Sequence, residues 1–161
     1  VKYESAYSGD TDKGILQIAD TANGDLRPLT GRKGLENTPI FSPNAALMAF
    51  SAPRDNDPAN VSDVFVFTPE TNGSPKNITR SLDRSINTAL WMPDGKTLLI
   101  GGNDKTRGAL WLQPLEGQAR RLDLGEVRNV SSVSMSKNGE LAFTGSEANR
   151  PTELYFMASP A

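Results

Sequence analysis

A turn-centred motif that occurs three times constrains the fold more than any other feature of the sequence. "FSPNAALMAF" (41–50) aligns with "WMPDGKTLLI" (91–100), and both align with "MSKNGELAF" (135–143) after one deletion. The first residues of these copies lie 50 and 44 residues apart, a period typical of β-propeller blades. Asp94-Gly95 and Asn138-Gly139 favour the positive φ angles of tight hairpins. The spacing therefore predicts one antiparallel hairpin per repeat.

Each repeat continues with two further strand-like segments. The first is apolar on both faces, which suits a strand covered on both sides; its copies are "ILQIAD" (15–20), "VFVFTP" (64–69), "LWLQPL" (110–115) and "LYFMAS" (154–159). The second is short and carries Lys or Arg, as edge strands commonly do; its copies are "NGDLRPLT" (23–30), "NGSPKNIT" (72–79) and "GQARRLD" (117–123).

These segments predict an all-β fold: a partial β-propeller of four-stranded antiparallel blades, about three and a half blades in number. We expect one domain over 1–161, with complete blades at 37–86 and 87–128. The blade at 1–36 lacks its first strand, and the blade at 129–161 stops after its third. No window shows a 3.6-residue period, so helices should be few.

Two absences limit the chemistry of this chain. It contains no Cys and no His, which excludes thiol nucleophiles, a Ser-His-Asp triad and nearly all zinc sites within the chain. The net charge is −2, and the scattered Lys and Arg residues do not form a nucleic-acid surface. No apolar run is long enough to cross a membrane. We therefore expect no catalytic residue, no cofactor, no metal, no nucleic acid and no membrane insertion.

The repeats resemble those of a known group of propellers. "FSPNAALMAFSAPRD", "DVFVFTPETNGSPKNIT" and "WMPDGKTLLIGG" resemble the WD40-like (PD40) repeats of TolB-type propellers and of prolyl oligopeptidase-family serine peptidases. "SVSMSKNGELAFTGSEANRPTELYFMAS" is similar to the last propeller blade of acylaminoacyl-peptidase-like and dipeptidyl-peptidase-like members. In those enzymes this blade immediately precedes the α/β-hydrolase domain.

The peptidase resemblance implies that the catalytic residues lie in a downstream hydrolase domain of the same parent chain. The propeller would then cap that site and admit peptides of limited size. This chain has no G-x-S-x-G elbow, and its nearest string, "TGSEA" at 144–148, lacks the final Gly. The alternative is a TolB-like protein-binding scaffold without an enzyme. A carboxylate-only glycosidase is a third possibility that no spacing supports. Both leading alternatives fit a bacterial source and a periplasmic or cytoplasmic location.

Three arginines are candidates for substrate binding, because each lies in the loop before the third strand of its unit: Arg54, Arg107 and Arg150. They could line one rim or the central channel and bind a peptide carboxylate. They could equally form local ion pairs with Asp55, Asp104 or Glu153.

The remaining polar and aromatic candidates favour structural roles. The loops "SGDTDKG" (8–14) and "RDNDPAN" (54–60) alternate oxygen-bearing side chains as calcium loops do, but neither ends in the Glu of such a loop. We expect both to be hairpin tips that cap their own backbone. Trp91 and Trp111 are expected to pack at strand positions that face neighbouring blades.

The family's repeat often opens its third strand with an acidic residue. Asp63 and Glu153 keep that acid, whereas Gly14 and Ala109 replace it. The two blades without the acid are expected to lack loop-pinning hydrogen bonds. An open set of blades should also expose apolar faces, which predicts that the isolated segment is marginally stable or self-associates through its terminal blades.

Overall fold

The structure is a computed structural model that describes residues 13–32, 34–70 and 74–160. Within these ranges it contains thirteen strands in four antiparallel sheets. The helical segments among its named elements are the 3₁₀ turns Arg54–Asn56 and Arg80–Leu82. The predicted all-β fold class is confirmed. Among the described residues, no helix is long and apolar enough to span a membrane.

The chain divides into two compact units, residues 1–83 and 84–161. The first unit contains sheet 1, a hairpin, and sheet 2, a four-stranded meander in which each strand pairs with the next. Their strands are β1 (Gln17–Ala19) and β2 (Leu26–Pro28) in sheet 1, and β3 (Asn37–Phe41), β4 (Met48–Pro53), β5 (Ser62–Phe67) and β6 (Lys76–Asn77) in sheet 2. Residues 1–9, "VKYESAYSG", lie outside the described residues.

The second unit also contains two antiparallel sheets whose strands follow one another in chain order. Sheet 3 is again a four-stranded meander, and sheet 4 has three strands in chain order. Their strands are β7 (Ile86–Trp91), β8 (Thr97–Asp104), β9 (Arg107–Pro114) and β10 (Arg120–Arg121) in sheet 3, and β11 (Asn129–Met135), β12 (Leu141–Ser146) and β13 (Glu153–Met157) in sheet 4.

The repeated motif forms the turn between the first two strands of sheets 2, 3 and 4. Gly95 and Gly139 adopt φ angles of 62° and 89°, and Ala45 takes the equivalent conformation at 57°. The Asn44 side chain accepts a hydrogen bond from the Ala46 N–H at 3.1 Å. This local bond helps explain why the turn persists in the copy without glycine.

A bulge in the first strand is a second shared feature of these three sheets. The register shifts between Asn37 and Ile40, between Ile86 and Thr88, and between Ser131 and Ser134. A bulge bends its strand and re-aims the neighbouring backbone. In sheet 3, just before the bulge, the Ser85 carbonyl lies so close to Gly102 that an added Cβ would lie 2.3 Å from its oxygen.

Each unit has its own apolar core. The core of the first unit includes Phe50, which stacks on Phe65 at 5.5 Å between ring centroids and meets Phe67 edge-on at 5.7 Å. The core of the second unit centres on four buried leucines, Leu99, Leu110, Leu122 and Leu141. Trp91 and Trp111 are 9% and 4% exposed, so both rings pack within the protein as predicted.

Candidate functional site

Strand register identifies equivalent positions in the three larger sheets. Asp63 pairs with Ala52, Ala109 with Gly102, and Glu153 with Gly145. Each of these residues opens or nearly opens the third strand of its sheet. The polar candidates from the sequence lie at this end of the sheets, opposite the motif turns.

Asp63 of sheet 2 is fully buried and accepts four hydrogen bonds. Arg54 donates from Nε at 2.8 Å and from Nη2 at 3.2 Å. Asn77 Nδ2 donates at 2.7 Å and Thr79 Oγ1 at 3.1 Å. Thr79 Oγ1 in turn accepts from the Val64 N–H at 2.9 Å. The carboxylate therefore ties β5 both to the end of β6 and to the loop that follows β4.

Arg54 is committed to this internal network. Its Nη1 donates to Asp83 at 2.8 Å, and its side chain is 13% exposed. Hydrogen bonds to Asp63 and then to Asp83 raise the pKa of Arg54 above its usual value. Asp55, the partner considered from the sequence, instead accepts from Arg80 Nη1 at 2.9 Å. That hydrogen bond lowers the pKa of Asp55.

Sheet 1 shows that the expectation for the Gly14 blade was wrong. Glu36 is fully buried and accepts a hydrogen bond from the Leu16 N–H at 2.7 Å and another from Thr30 Oγ1. Arg32 Nε lies 3.9 Å from the same carboxylate. A residue from the linker thus supplies the pinning bonds. The repeat alignment missed it because Glu36 lies outside the aligned segments.

Sheet 3 carries a different set of residues at the equivalent end. Asp104 follows Gly102 by two positions, as Arg54 follows Ala52. It contacts Arg84 Nε at 3.0 Å and Arg121 Nη1 at 3.2 Å. Ala109 replaces the buried acid, so its hydrogen bonds have no counterpart in the described part of this sheet.

A cleft of about 340 Å³ opens at this end of sheet 3. It is lined by Arg107, Gly108, Arg121, Leu122, Asp123, Leu124, Gly125 and Val127. Arg107 is exposed and forms no ion pair with another described residue. Arg121 is 51% exposed in its side chain. The cleft therefore offers two accessible guanidinium groups to a ligand.

Arg150 of sheet 4 has an internal partner. Its Nε lies 3.6 Å from Glu147 Oε2, and Tyr155 donates to Glu147 Oε1 at 3.4 Å. Burial and the neighbouring Glu147 raise the pKa of Tyr155. Glu147, not Glu153, is thus the local partner of Arg150. Of the three candidate arginines, Arg107 is the one that the described residues leave open to a ligand.

The Asp- and Asn-rich loops cap their own backbone where they can be described. Asp57 Oδ1 accepts from the Ala59 N–H at 3.0 Å, and Asn60 Oδ1 accepts from the Val61 N–H at 2.9 Å. Most of the loop at 8–14 lies outside the described residues. The described ranges contain no group of three or more acidic side chains placed to hold a metal ion.

Repeated antiparallel meanders with a turn, a bulge and a polar end in common define this chain as a β-propeller segment. It is 32% identical over 137 residues to dipeptidyl-peptidase 5 of Aspergillus fumigatus, covering 81% of this chain and 19% of that protein. It is 35% identical over 95 residues to the probable dipeptidyl-peptidase 5 of Aspergillus clavatus, covering 57% and 13%. The chain thus spans about a fifth or less of these relatives. No family model matches.

Solved structures show the same fold. TolB from Acinetobacter baumannii superposes with a TM-score of 0.72 at 19% identity, covering 94% of this chain and 37% of TolB. The acylaminoacyl peptidase of Pyrococcus horikoshii gives 0.65 at 17%, covering 89% and 22%. The resemblance to the propellers of prolyl oligopeptidase-type peptidases, with TolB-type propellers second, is confirmed. The curated relatives are fungal, so they do not support the expected bacterial source.

Proposed function

We propose that this chain is a non-catalytic part of the propeller of a prolyl oligopeptidase-type serine peptidase. In this proposal the hydrolase domain belongs to the same polypeptide, and the propeller limits which peptides reach it. The observation that carries the proposal is the sequence similarity to two dipeptidyl-peptidases 5. The structural likenesses support only the fold, because their sequence identities are low.

The composition of the chain agrees with a non-catalytic role. A Ser-His-Asp mechanism needs a histidine as general base, and this chain contains none. Its buried carboxylates are occupied by internal donors: Asp63 accepts from Arg54, Asn77 and Thr79. These groups hold loops in place, and a rigid propeller wall is what restriction of access by size requires.

The test is a peptidase assay on the full-length protein. We expect it to release dipeptides from the N-terminus of short peptides, with rates that fall as substrates become longer or folded. Absence of peptidase activity would overturn the proposal as a whole. Equal cleavage of short peptides and of long unfolded chains would overturn the restriction of access while leaving the peptidase assignment in place.

A TolB-like protein-binding scaffold is the second proposal, because repeats such as "WMPDGKTLLIGG" resemble those of TolB-type propellers as well as those of the peptidases. In that case the full-length protein would lack peptidase activity and would form a stable complex with a protein partner. Affinity purification of the full-length protein, followed by the same peptidase assay, separates the two proposals.

A further inference from the structure

Sheets 2 and 3 differ at three equivalent positions, which in sheet 2 form a buried network of hydrogen bonds. In sheet 2, Arg54 covers the buried Asp63, which also binds Thr79. In sheet 3 the corresponding residues are Asp104, Ala109 and Asp123. The last correspondence follows from the backbone, because Leu122 N bonds to Leu110 O as Ile78 N bonds to Val64 O.

These substitutions remove the internal anion and reverse the charge above it. A methyl group at Ala109 cannot accept the hydrogen bonds that Asp63 accepts. Asp104 is an acid where Arg54 is a base, so no guanidinium reaches inward from that position. The cleft of about 340 Å³ lies at this end of the sheet, with Arg107, Arg121 and Asp123 among its lining residues.

The charges around the cleft leave positive charge in excess. Asp104 is a single carboxylate that contacts two guanidinium groups, those of Arg84 and Arg121. Arg107, the cross-strand neighbour of Asp104, adds a third guanidinium. Asp123 also lines the cleft, and its Oδ1 accepts from the Gly125 N–H at 2.9 Å. Among the residues that line the cleft, the two guanidinium groups of Arg107 and Arg121 therefore face a single carboxylate, that of Asp123.

We propose that this cleft binds a carboxylate of an acidic peptide segment, with Arg107 and Arg121 as the donors. Guanidinium groups recognise carboxylates through paired N–H donors, and such charge-assisted bonds are stronger than neutral ones. This inference does not depend on the proposed peptidase function, because a scaffold could bind an acidic partner through the same cleft.

The test is fluorescence anisotropy on the full-length protein with a fluorescein-labelled peptide of four glutamates, blocked at both ends. We expect this peptide to bind and its glutamine counterpart not to bind. Arg107→Ala should weaken binding about tenfold, the effect of losing one charge-assisted hydrogen bond. Arg128→Ala is the charge-matched control, since Arg128 is exposed and does not line the cleft. It should change affinity less than about twofold.

Two further measurements keep the proposal open to contradiction. Succinate should compete with the labelled peptide, whereas competition by inorganic phosphate alone would overturn the carboxylate assignment. The charge-reversal variant Arg107→Glu should abolish binding, because it places a carboxylate where the proposal needs a guanidinium donor. Failure of the glutamate peptide to bind would also overturn the proposal, as would equal losses in Arg107→Ala and Arg128→Ala. The Arg107 side chain is exposed, so substitutions at this position should leave the fold intact.

Discussion

Arg54 contacts two aspartates that differ sharply in exposure. Asp63 is fully buried, whereas the side chain of Asp83 is 72% exposed. Removing one partner of a buried ion pair leaves an uncompensated charge, and that is far more costly than losing an exposed pair. Because Asp63 and Asp83 bind the same guanidinium group, comparing variants of the two residues shows how much the burial of an ion pair contributes to stability.

We expect Asp63→Ala to lower the free energy of unfolding by about 3–5 kcal/mol. Asp83→Ala should lower it by about 0–1 kcal/mol, although both changes remove a bond to Arg54. Urea unfolding of the two variants measures the difference. Equal effects would show that the buried carboxylate does not organise this end of sheet 2.

Asp94 stabilises the clearest copy of the repeated turn. Its Oδ1 accepts from the Lys96 N–H at 2.8 Å and the Thr97 N–H at 2.9 Å, and its Oδ2 accepts from Thr97 Oγ1 at 2.8 Å. Burial opposes ionisation, but these donors outweigh it and lower the pKa of Asp94. The charged form therefore stabilises the folded state.

Asp94→Ala should lower the free energy of unfolding by about 0.5–1 kcal/mol at pH 7, because the turn is exposed. A lowered folded-state pKa means that this stabilisation is present above the unfolded value of about 3.9 and is lost as pH falls through the folded value. The gap between wild type and variant should thus shrink at pH 3. The difference in unfolding free energy between Asp94→Asn and Asp94→Ala should not change between pH 7 and pH 3, because neither side chain titrates. A gap that widened on acidification would contradict this sign.

The sequence predicted that Arg54 could pair locally but not which aspartate it would bind. Asp55 is adjacent in sequence, yet Asp63 is the partner because β4 and β5 pair in register and bring Ala52 opposite Asp63. Glu36 escaped prediction for a related reason: it comes from the linker and reaches Leu16, 20 residues earlier. Contacts set by strand pairing are not visible in a local pattern.

At the scale of elements, the turns and meanders were predictable because their signals are local. Asp94-Gly95 and Asn138-Gly139 carry the conformational preference of the turn in their own backbone. The recurring bulges carry no such signal, since they depend on how β3, β7 and β11 pair with the next strand. The close approach of Ser85 to Gly102 likewise depends on how the chain before β7 meets β8.

We expect Gly102→Ala to lower the free energy of unfolding by about 1–3 kcal/mol, because its Cβ would lie 2.3 Å from the Ser85 carbonyl oxygen. Gly31→Ala is the matched control, since an added Cβ there meets nothing within 4 Å. It should change stability by less than about 0.5 kcal/mol. Thermal unfolding of both variants makes the comparison. If Gly102→Ala left the stability unchanged, the backbone at Ser85 would have to shift at little cost to admit the added Cβ.

Across the whole chain, the described part of sheet 4 exposes two large apolar side chains on one face. Leu154 and Phe156 are 76% and 68% exposed, and they pair with Thr144 and Ala142. Exposed apolar side chains that lie together favour association. The sequence predicted self-association through the terminal blades, and we propose that these two residues contribute to it.

We expect the isolated 161-residue chain to self-associate through this face. The double variant Leu154→Ser, Phe156→Ser should be monomeric at concentrations where the wild type is not. Sedimentation equilibrium distinguishes the two. The prediction would be wrong if the wild-type chain were monomeric at all concentrations. It would also be wrong if the double variant associated as strongly as the wild type.

We propose that this propeller segment contributes no catalytic nucleophile to the peptidase of which it is inferred to be a part. A fluorophosphonate modifies activated serines, so the full-length protein is treated with this reagent and the labelled residue is mapped by mass spectrometry. We expect stoichiometric labelling of one serine outside the 161 residues of this chain, with loss of peptidase activity. Labelling within these residues, or no labelling of the active full-length protein, would contradict it.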